Sequence, residues 1–201
     1  MSNPISLKIK KTWFEQKWER SCFFGSPDIP TMYLRFVEDD EFFFAQINLM
    51  ELSIVYNSVL LPSKGMLYFF IRLSDFKPIL RYYPKNGYDE DKMARVDFND
   101  NLNTGFNITK EYKIKFIHTH KRLTSLMLDE ETKYPEMLPN EVILLQYDQK
   151  CCSKILEVDG LIIFVIDRDE LLHRNYEAVR MLIIRKLIIS NSIKCFNYTL
   201  C

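Results

Sequence analysis

Two apolar segments of the chain each carry a glutamine in the same place. Residues 41–49 read EFFFAQINL and residues 141–148 read EVILLQYD, so Gln46 and Gln146 lie inside runs of apolar side chains. A buried amide without hydrogen-bond partners costs about 1–3 kcal/mol, so it persists where its donor and its acceptor are both satisfied. We therefore expect each glutamine to bond backbone groups of a neighbouring loop, in a fold that builds this arrangement twice.

Each of these segments ends with a polar pair spaced by two residues. The four side chains are Gln46, Asn48, Gln146 and Asp148. Residues two apart in a strand share a face. The first pair is therefore expected on the face of Phe42 and Phe44, and the second pair on the equivalent face of its own strand. These four side chains are the predicted site, either a ligand-binding site or a structural seam.

A glycine-led apolar strand follows each glutamine strand. GMLYFFIR begins at Gly65 and GLIIFVID begins at Gly160. The paired order predicts an internal duplication with about 60–70 residues in each copy. We expect an α+β fold, predominantly antiparallel β, made of two similar β-rich halves with few short helices.

The predicted organisation is a single domain over residues 1–201. The repeat halves cover about residues 20–84 and 111–185, and a polar connector covers about residues 85–110. Helical spacing is predicted over residues 50–60 and 168–180.

Charge and cysteine content restrict the class of protein. Lysine plus arginine and aspartate plus glutamate both number 27, so the net charge is zero and gives no global attraction to nucleic acid or to an anionic membrane. Neither a signal peptide nor an apolar stretch long enough to span a membrane is recognised. The five cysteines are then expected as thiols in a cytoplasmic protein.

Two patterns resemble metal sites. His118 and His120 share a strand face and form a possible two-point clamp, but such a site needs a third and usually a fourth ligand. Residues 97–103, DFNDNLN, alternate like a calcium loop but carry Leu102 and Ile108 where glycine and glutamate are required. We expect no cofactor, and keep the two histidines as weak metal candidates.

Motifs for covalent catalysis are missing from the sequence. Cys22 and the adjacent Cys151 and Cys152 have no identifiable base. The chain contains no Gly-x-Ser-x-Gly elbow and no glycine-rich phosphate loop. No catalytic residue is predicted.

The order of these segments resembles the YwqG-like family of uncharacterised bacterial proteins. The resemblance covers roughly residues 20–185 and rests on SCFFGSPDIP, FFFAQINL, LPSKGMLYFFI, VILLQYD and VDGLIIFVIDRDELLHRNYEAV. It implies a β-rich, internally duplicated fold with no assigned activity. The chain departs from the family in the loop 121–129, which lacks the usual glycine and proline, and in an additional tail at 190–201. If these loops form a ligand site in the family, the departure puts half of that site in doubt.

The sequence favours a non-catalytic cytoplasmic binding or protein-interaction module. Its partner would be an unknown protein or a small molecule, and the sequence does not specify the oligomeric state. The first alternative is a small enzyme whose site lies in the cleft between the halves, lined by the two polar pairs. The second alternative is a metal-binding protein using His118 and His120.

Overall fold

The computed structural model describes two compact units of the chain. It covers residues 4–11, 18–84, 93–96, 110–118, 124–151, 160–189 and 192–197, with the backbone alone for 186–189 and 192–197. The first unit is Ile9–Lys115, and the second unit combines Met1–Lys8 with Phe116–Cys201. The structure is mostly antiparallel β with few short helices, which confirms the predicted fold class at that level.

The first unit contains an antiparallel sheet and a separate strand pair. The strands are β2 (Cys22–Phe23), β3 (Asp28–Pro30), β4 (Glu41–Asn48), β5 (Met66–Arg72), β6 (Lys77–Tyr83), β7 (Met93–Arg95) and β8 (Tyr112–Ile117). The sheet has the order β8-β2-β4-β5-β6, and β3 pairs with β7. A 3₁₀ helix covers Thr31–Phe36, and α1 covers Leu49–Val55, the first part of the helix predicted at 50–60.

The second unit contains a comparable antiparallel sheet. The strands are β1 (Ile5–Lys11), β9 (Leu126–Asp129), β10 (Glu141–Asp148), β11 (Gly160–Asp167), β12 (Arg180–Ile189) and β13 (Ser192–Asn197). The boundary between the units falls within β1, after Lys8. The strand order is β13-β12-β11-β10-β9-β1. The predicted helical segment at 168–180 is divided into α2 (Arg168–Leu172) and a 3₁₀ turn at Tyr176–Ala178.

Both glutamine strands contain a bulge at the same point. The register of β4 against β5 shifts between Phe43 and Ala45, and that of β10 against β11 shifts between Ile143 and Leu145. Each bulge inserts one extra residue, which reverses the alternation of faces beyond it. Gln46 therefore lies opposite Tyr68, and Gln146 lies opposite Ile163.

The bulge makes the predicted face of the first polar pair wrong. Phe43 packs in one cluster with Tyr68, the residue directly opposite Gln46. Phe42 and Phe44 instead contact the ring of Phe24, with ring centroids 6.1 and 5.5 Å apart. Simple alternation fails because it counts the inserted residue as an ordinary strand position.

Glycine is required where the second strand of each pair begins. Gly65 has φ +101, and a Cβ there would lie 2.5 Å from the carbonyl oxygen of Tyr83. At Gly160 a Cβ would lie 2.6 Å from the carbonyl oxygen of Ile184. A side chain at either position would collide with the backbone of the adjacent strand.

Candidate functional site

The amide of Gln46 is buried and satisfied at both ends. β4 pairs with β2 and places Gln46 opposite Cys22, beside the loop that enters β2. Its Nε2 donates to the Arg20 carbonyl at 2.7 Å, and its Oε1 accepts from the Asp28 backbone N–H at 2.9 Å. The amide therefore joins the loop before β2, as expected from the sequence, to the start of β3, in both cases through backbone groups.

Asn48 connects the end of β4 to the helix that follows. Its Oδ1 accepts from the backbone N–H groups of Met50 and Glu51 at 2.9 and 3.3 Å, which caps α1. Its Nδ2 donates to the Glu19 carbonyl at 2.8 Å. The backbone N–H of Asn48 donates to the Ser21 hydroxyl at 2.9 Å. Its polar groups thus hold the same entering loop that Gln46 holds.

Two carboxylates that sequence reasoning missed complete the first cluster. The buried carboxylate of Asp28 accepts from Arg95 Nε at 2.8 Å and from the Glu19 backbone N–H at 2.5 Å. The guanidinium of Arg95 lies 4.8 Å from the ring centroid of Trp18. Glu51 accepts from Arg20 Nη1 at 2.7 Å and from the Ser21 backbone N–H at 3.0 Å. Both charges therefore have positively charged partners.

Gln146 occupies an equivalent place in the second unit. Its Nε2 donates to the Thr124 carbonyl at 2.6 Å, and its Oε1 accepts from the Tyr134 hydroxyl at 3.0 Å. The backbone N–H of Asp148 donates to the Ser125 hydroxyl at 3.1 Å, and its Oδ1 accepts from the Lys150 backbone N–H at 3.0 Å. The two polar pairs lie in different units, and their role in ligand binding stays a prediction.

The strands that carry the glutamines begin with a buried glutamate in each unit. Glu41 forms two bonds to Arg81, at 2.6 and 2.7 Å. Glu141 accepts from Arg180 Nη1 at 2.8 Å and from the Leu138 backbone N–H at 2.7 Å. A sequence signal was present, since each glutamate stands at the start of the segment that contains the glutamine, at the same distance from it.

The cysteines differ in their environment. Cys22 is buried, and burial raises the pKa of its thiol well above the ordinary value, with the charges of Glu111 and Asp28 raising it further. A thiol held protonated in this way is a poor nucleophile. Cys151 is exposed, with its sulfur 3.5 Å from the Ser125 hydroxyl oxygen. Cys152 lies outside the described residues.

The metal candidates are only partly described. His118 is exposed at the end of β8, while His120 and residues 97–103 lie outside the described residues. Within the described part of the chain, no group of three histidine, cysteine, aspartate or glutamate side chains could hold a metal ion. The metal hypothesis therefore gains no further ligand from the described residues.

An open aromatic hollow lies in the first unit, between the 3₁₀ helix and β6. We call it the aromatic hollow, and its lining includes Tyr33, Val37, Tyr68, Arg81, Tyr82 and Tyr83. The rings of Tyr33 and Tyr83 meet edge to face, with centroids 5.1 Å apart and an interplanar angle of 75°. The cavity itself is about 10 Å³, and the space around it that includes open solvent is about 270 Å³.

Ion pairing neutralises the positive charge in the hollow. Arg81 is held by the buried Glu41, and its Nη2 also donates to the Phe36 carbonyl at 2.7 Å. Its guanidinium lies 5.0 Å from the ring centroid of Phe70. Two apolar side chains on the neighbouring 3₁₀ helix face solvent, Met32 with 61% and Phe36 with 51% of its surface exposed. The hollow therefore presents aromatic and apolar surface around a paired charge.

These features define a mostly antiparallel β protein whose described residues include two buried glutamine clusters and an open aromatic hollow. The chain matches the domain of unknown function (DUF1963) over residues 21–141, and it belongs to this family. The match begins at Ser21, next to the first glutamine cluster, and ends at Glu141, the first residue of β10. No curated protein matches the chain significantly. Among the described residues, no helix is both long and apolar enough to cross a membrane.

Proposed function

We propose that the protein is a non-catalytic binding module whose recognition surface is the aromatic hollow. One observation carries the proposal: aromatic side chains line an open hollow, and the exposed Phe36 lies beside it, its ring centroid 6.1 Å from that of Tyr33. Exposed apolar surface of this kind is typical of interaction sites. The partner is a protein or a small molecule that offers an apolar or aromatic group.

The polar clusters support a structural role in place of a catalytic one. The side chains of Gln46, Asn48 and Gln146 bond mainly to the backbone of their own unit. A general acid or base has to reach a substrate with a free donor or acceptor. The alternative of an enzyme using these residues would require the loops that they hold to open first.

Ligand-observed and protein-observed NMR with phenol as the probe tests the proposal. Phenol offers one aromatic face and one hydroxyl, so its binding is expected to shift the resonances of Tyr33, Val37 and Tyr83. Tyr83→Ala removes one wall of the hollow and is expected to weaken phenol binding about fivefold, since an aromatic pair contributes about 1 kcal/mol. The matched control is Ile54→Ala, because Ile54 is 81% exposed in the same unit but does not line the hollow. The proposal would be contradicted if phenol shifted only resonances outside the hollow, or if the shifts were the same in the Tyr83→Ala variant.

We also propose that the two units arose by internal duplication, with halves at about residues 20–84 and 111–185. The matching registers of β4 with β5 and of β10 with β11, each with its bulge at the same place, support this origin. So do the equivalent bonds of Leu49 N–H to the Gly65 carbonyl and of Gln149 N–H to the Gly160 carbonyl. Placement in the bacterial YwqG-like branch of the family belongs to the same proposal. The segments LPSKGMLYFFI and VDGLIIFVIDRDELLHRNYEAV, which contain Gly65 and Gly160, support this placement.

A cytoplasmic location is the last part of the proposal. Cys22 and Cys151 are free thiols, as is usual for proteins of reducing compartments. The balanced charge supports a partner other than nucleic acid or an anionic membrane. Localisation of a tagged chain by fractionation tests this part.

A further inference from the structure

We propose that the aromatic hollow takes a proline-rich segment of a partner protein in polyproline II conformation, with a basic residue beside the prolines. This inference rests on the proposed function, because it assigns a ligand class to the same hollow. It follows from the depth of the hollow, the arrangement of its rings, its hydroxyl groups and the charge beside it.

The hollow is too shallow for a typical enclosed metabolite. Small-molecule sites usually enclose about 300–1,000 Å³ and bury most of the ligand. Here the cavity itself is about 10 Å³, room for about one water molecule, and the space of about 270 Å³ around it includes open solvent. Such a shallow surface suits a ligand that lies across the rings and stays exposed on its other side.

The rings of the hollow form an aromatic surface. Tyr33 and Tyr83 are partly buried and meet edge to face, with centroids 5.1 Å apart and an interplanar angle of 75°. Proline-rich segments dock on aromatic-lined surfaces of this kind, and their preformed conformation reduces the entropy lost on binding.

Tyr33, which lines the hollow, provides a hydrogen-bond donor. Tyr68 and Tyr82 donate their hydroxyls to the Asp28 and Lys64 carbonyls. The Tyr33 hydroxyl has no hydrogen-bond partner among the described residues, and Tyr33 contacts Phe36 and Tyr83 through its ring. A polyproline II segment has no internal hydrogen bonds, so its carbonyls can accept from such a hydroxyl.

The charge beside the hollow favours a basic flank. Glu38, Asp39 and Asp40 follow the 3₁₀ helix after Val37, and Glu38 lies 3.9 Å from the Arg72 guanidinium. Arg35 stands within that helix with its guanidinium over the ring of Phe36, and Arg81 is already paired with Glu41. The segment 35–40 therefore carries more negative than positive charge, which attracts lysine or arginine at low ionic strength.

The test is a fluorescence-anisotropy titration of the full chain with labelled synthetic peptides. The first peptide alternates proline and leucine and ends with arginine. The second replaces proline by alanine, and the third replaces arginine by glutamate. The proline–arginine peptide is expected to bind most tightly, with the glutamate peptide about fivefold weaker at low salt and closer to it at high salt.

Tyr33→Phe separates the hydroxyl from the ring. The variant is expected to bind the proline–arginine peptide about threefold to tenfold more weakly, the range for one net hydrogen bond. Ile54→Ala serves as the matched control and is expected to leave binding unchanged. A Tyr33→Phe variant that binds as tightly as the unmodified chain would remove the hydroxyl from the recognition mechanism and overturn the proposed mode.

The outcomes distinguish this inference from the proposed function. Phenol binding in the hollow without peptide binding would overturn the proline-rich ligand and leave the binding module. Equal binding of the alanine peptide would likewise overturn it, in favour of a general apolar partner. Failure of both phenol and the peptides would overturn the inference together with the proposed function.

Discussion

The two glutamine clusters have the same backbone arrangement but different chemical surroundings. In each unit the amide donates to a loop carbonyl, at Arg20 or at Thr124. The next residue in each loop is a serine, whose hydroxyl accepts the backbone N–H two positions beyond the glutamine. The bulge position and these hydrogen bonds of the glutamine and the serine are therefore alike in the two units.

The surroundings of the two amides have little in common. The first cluster contains the charged pairs Asp28–Arg95 and Glu51–Arg20. The second cluster places Tyr134 on the amide oxygen and Cys151 beside the serine hydroxyl. Both units therefore share the glutamine and the loop that it bonds. The neighbouring groups differ, and they determine how much charged pairs contribute to the stability of each cluster.

Removal of Asp28 is expected to have the largest effect. Asp28→Ala leaves the guanidinium of Arg95 without its buried partner and the Glu19 N–H without an acceptor. Breaking a largely buried ion pair in this way should lower the free energy of unfolding by about 3 kcal/mol. Urea denaturation measures this loss of free energy of unfolding. Arg95→Met should cause a smaller loss, because Asp28 keeps the Glu19 backbone N–H as a donor. A loss below about 1 kcal/mol for Asp28→Ala would show that the charged pairs do not stabilise the first cluster.

Exchange of each glutamine for glutamate compares the clusters directly. Gln46→Glu places a carboxylate oxygen near the Arg20 carbonyl and near the Asp28 carboxylate, and should cost about 3 kcal/mol or more at neutral pH. Gln146→Glu keeps the Tyr134 hydroxyl as a donor and should cost about 2 kcal/mol. Gln→Ala at each position gives the baseline for loss of the amide.

Acid should partly restore Gln46→Glu. Burial near a second carboxylate raises the pKa of the new side chain, so the folded state binds a proton more strongly than the unfolded chain does. The free energy of unfolding of this variant, compared with that of the unmodified chain, should therefore rise as the pH falls from about 7 to about 5. If both Gln→Glu variants lost the same free energy of unfolding at every pH, the surroundings of the amides would have no effect on stability.

The sequence predicted the glutamine bonds because a buried amide has few physical options. The glycine-led order of the second strands marks Gly65 and Gly160, and the structure shows why: a side chain there would meet the adjacent strand. The face of Gln46 could not be predicted, since a one-residue bulge leaves no mark on the local alternation of apolar residues. Its partner Asp28 was missed because their hydrogen bond joins two strands across 18 positions of sequence.

The aromatic hollow was beyond the reach of local sequence patterns for the same reason. Tyr82 and Tyr83 fit a buried strand, and Tyr33 stands in a segment with no clear periodicity. Only the tertiary fold brings Tyr33 against Tyr83. A surface formed by residues from separate elements has no signal in any single window of sequence.

Substitutions at Glu51 and at Cys151 are expected to have smaller effects on the free energy of unfolding. Glu51→Cys removes the acceptor of the Ser21 N–H and the partner of Arg20, and should lower the free energy of unfolding by about 1–2 kcal/mol. Cys151→Ser keeps a small polar group near the Ser125 hydroxyl and should change it by less than about 0.5 kcal/mol. Urea denaturation of both variants gives the comparison. A larger loss for Cys151→Ser than for Glu51→Cys would show that the thiol has the more important structural role.

The smallest expected effect concerns Asp75, in the turn between β5 and β6. Its hydrogen bond to the Arg72 guanidinium lowers the pKa of Asp75 to about 2. A lowered pKa means that this contribution to stability is present above the ordinary value near 4 and is lost as the pH falls through about 2. NMR titration of Arg72→Met should return the pKa of Asp75 towards that ordinary value.

The control for this titration is Asp167, which lies opposite Glu141 as Arg72 lies opposite Glu41. The backbone N–H groups of Asp169 and Glu170 lower the pKa of Asp167, so Arg72→Met should leave it unchanged. A pKa of Asp75 that stays near 2 in the variant would assign the shift to the Lys77 backbone N–H, its other donor. Asp75 and Asp167 would then both be stabilised as carboxylates by backbone N–H donors. The two units would no longer differ in whether a side chain or the backbone lowers the pKa.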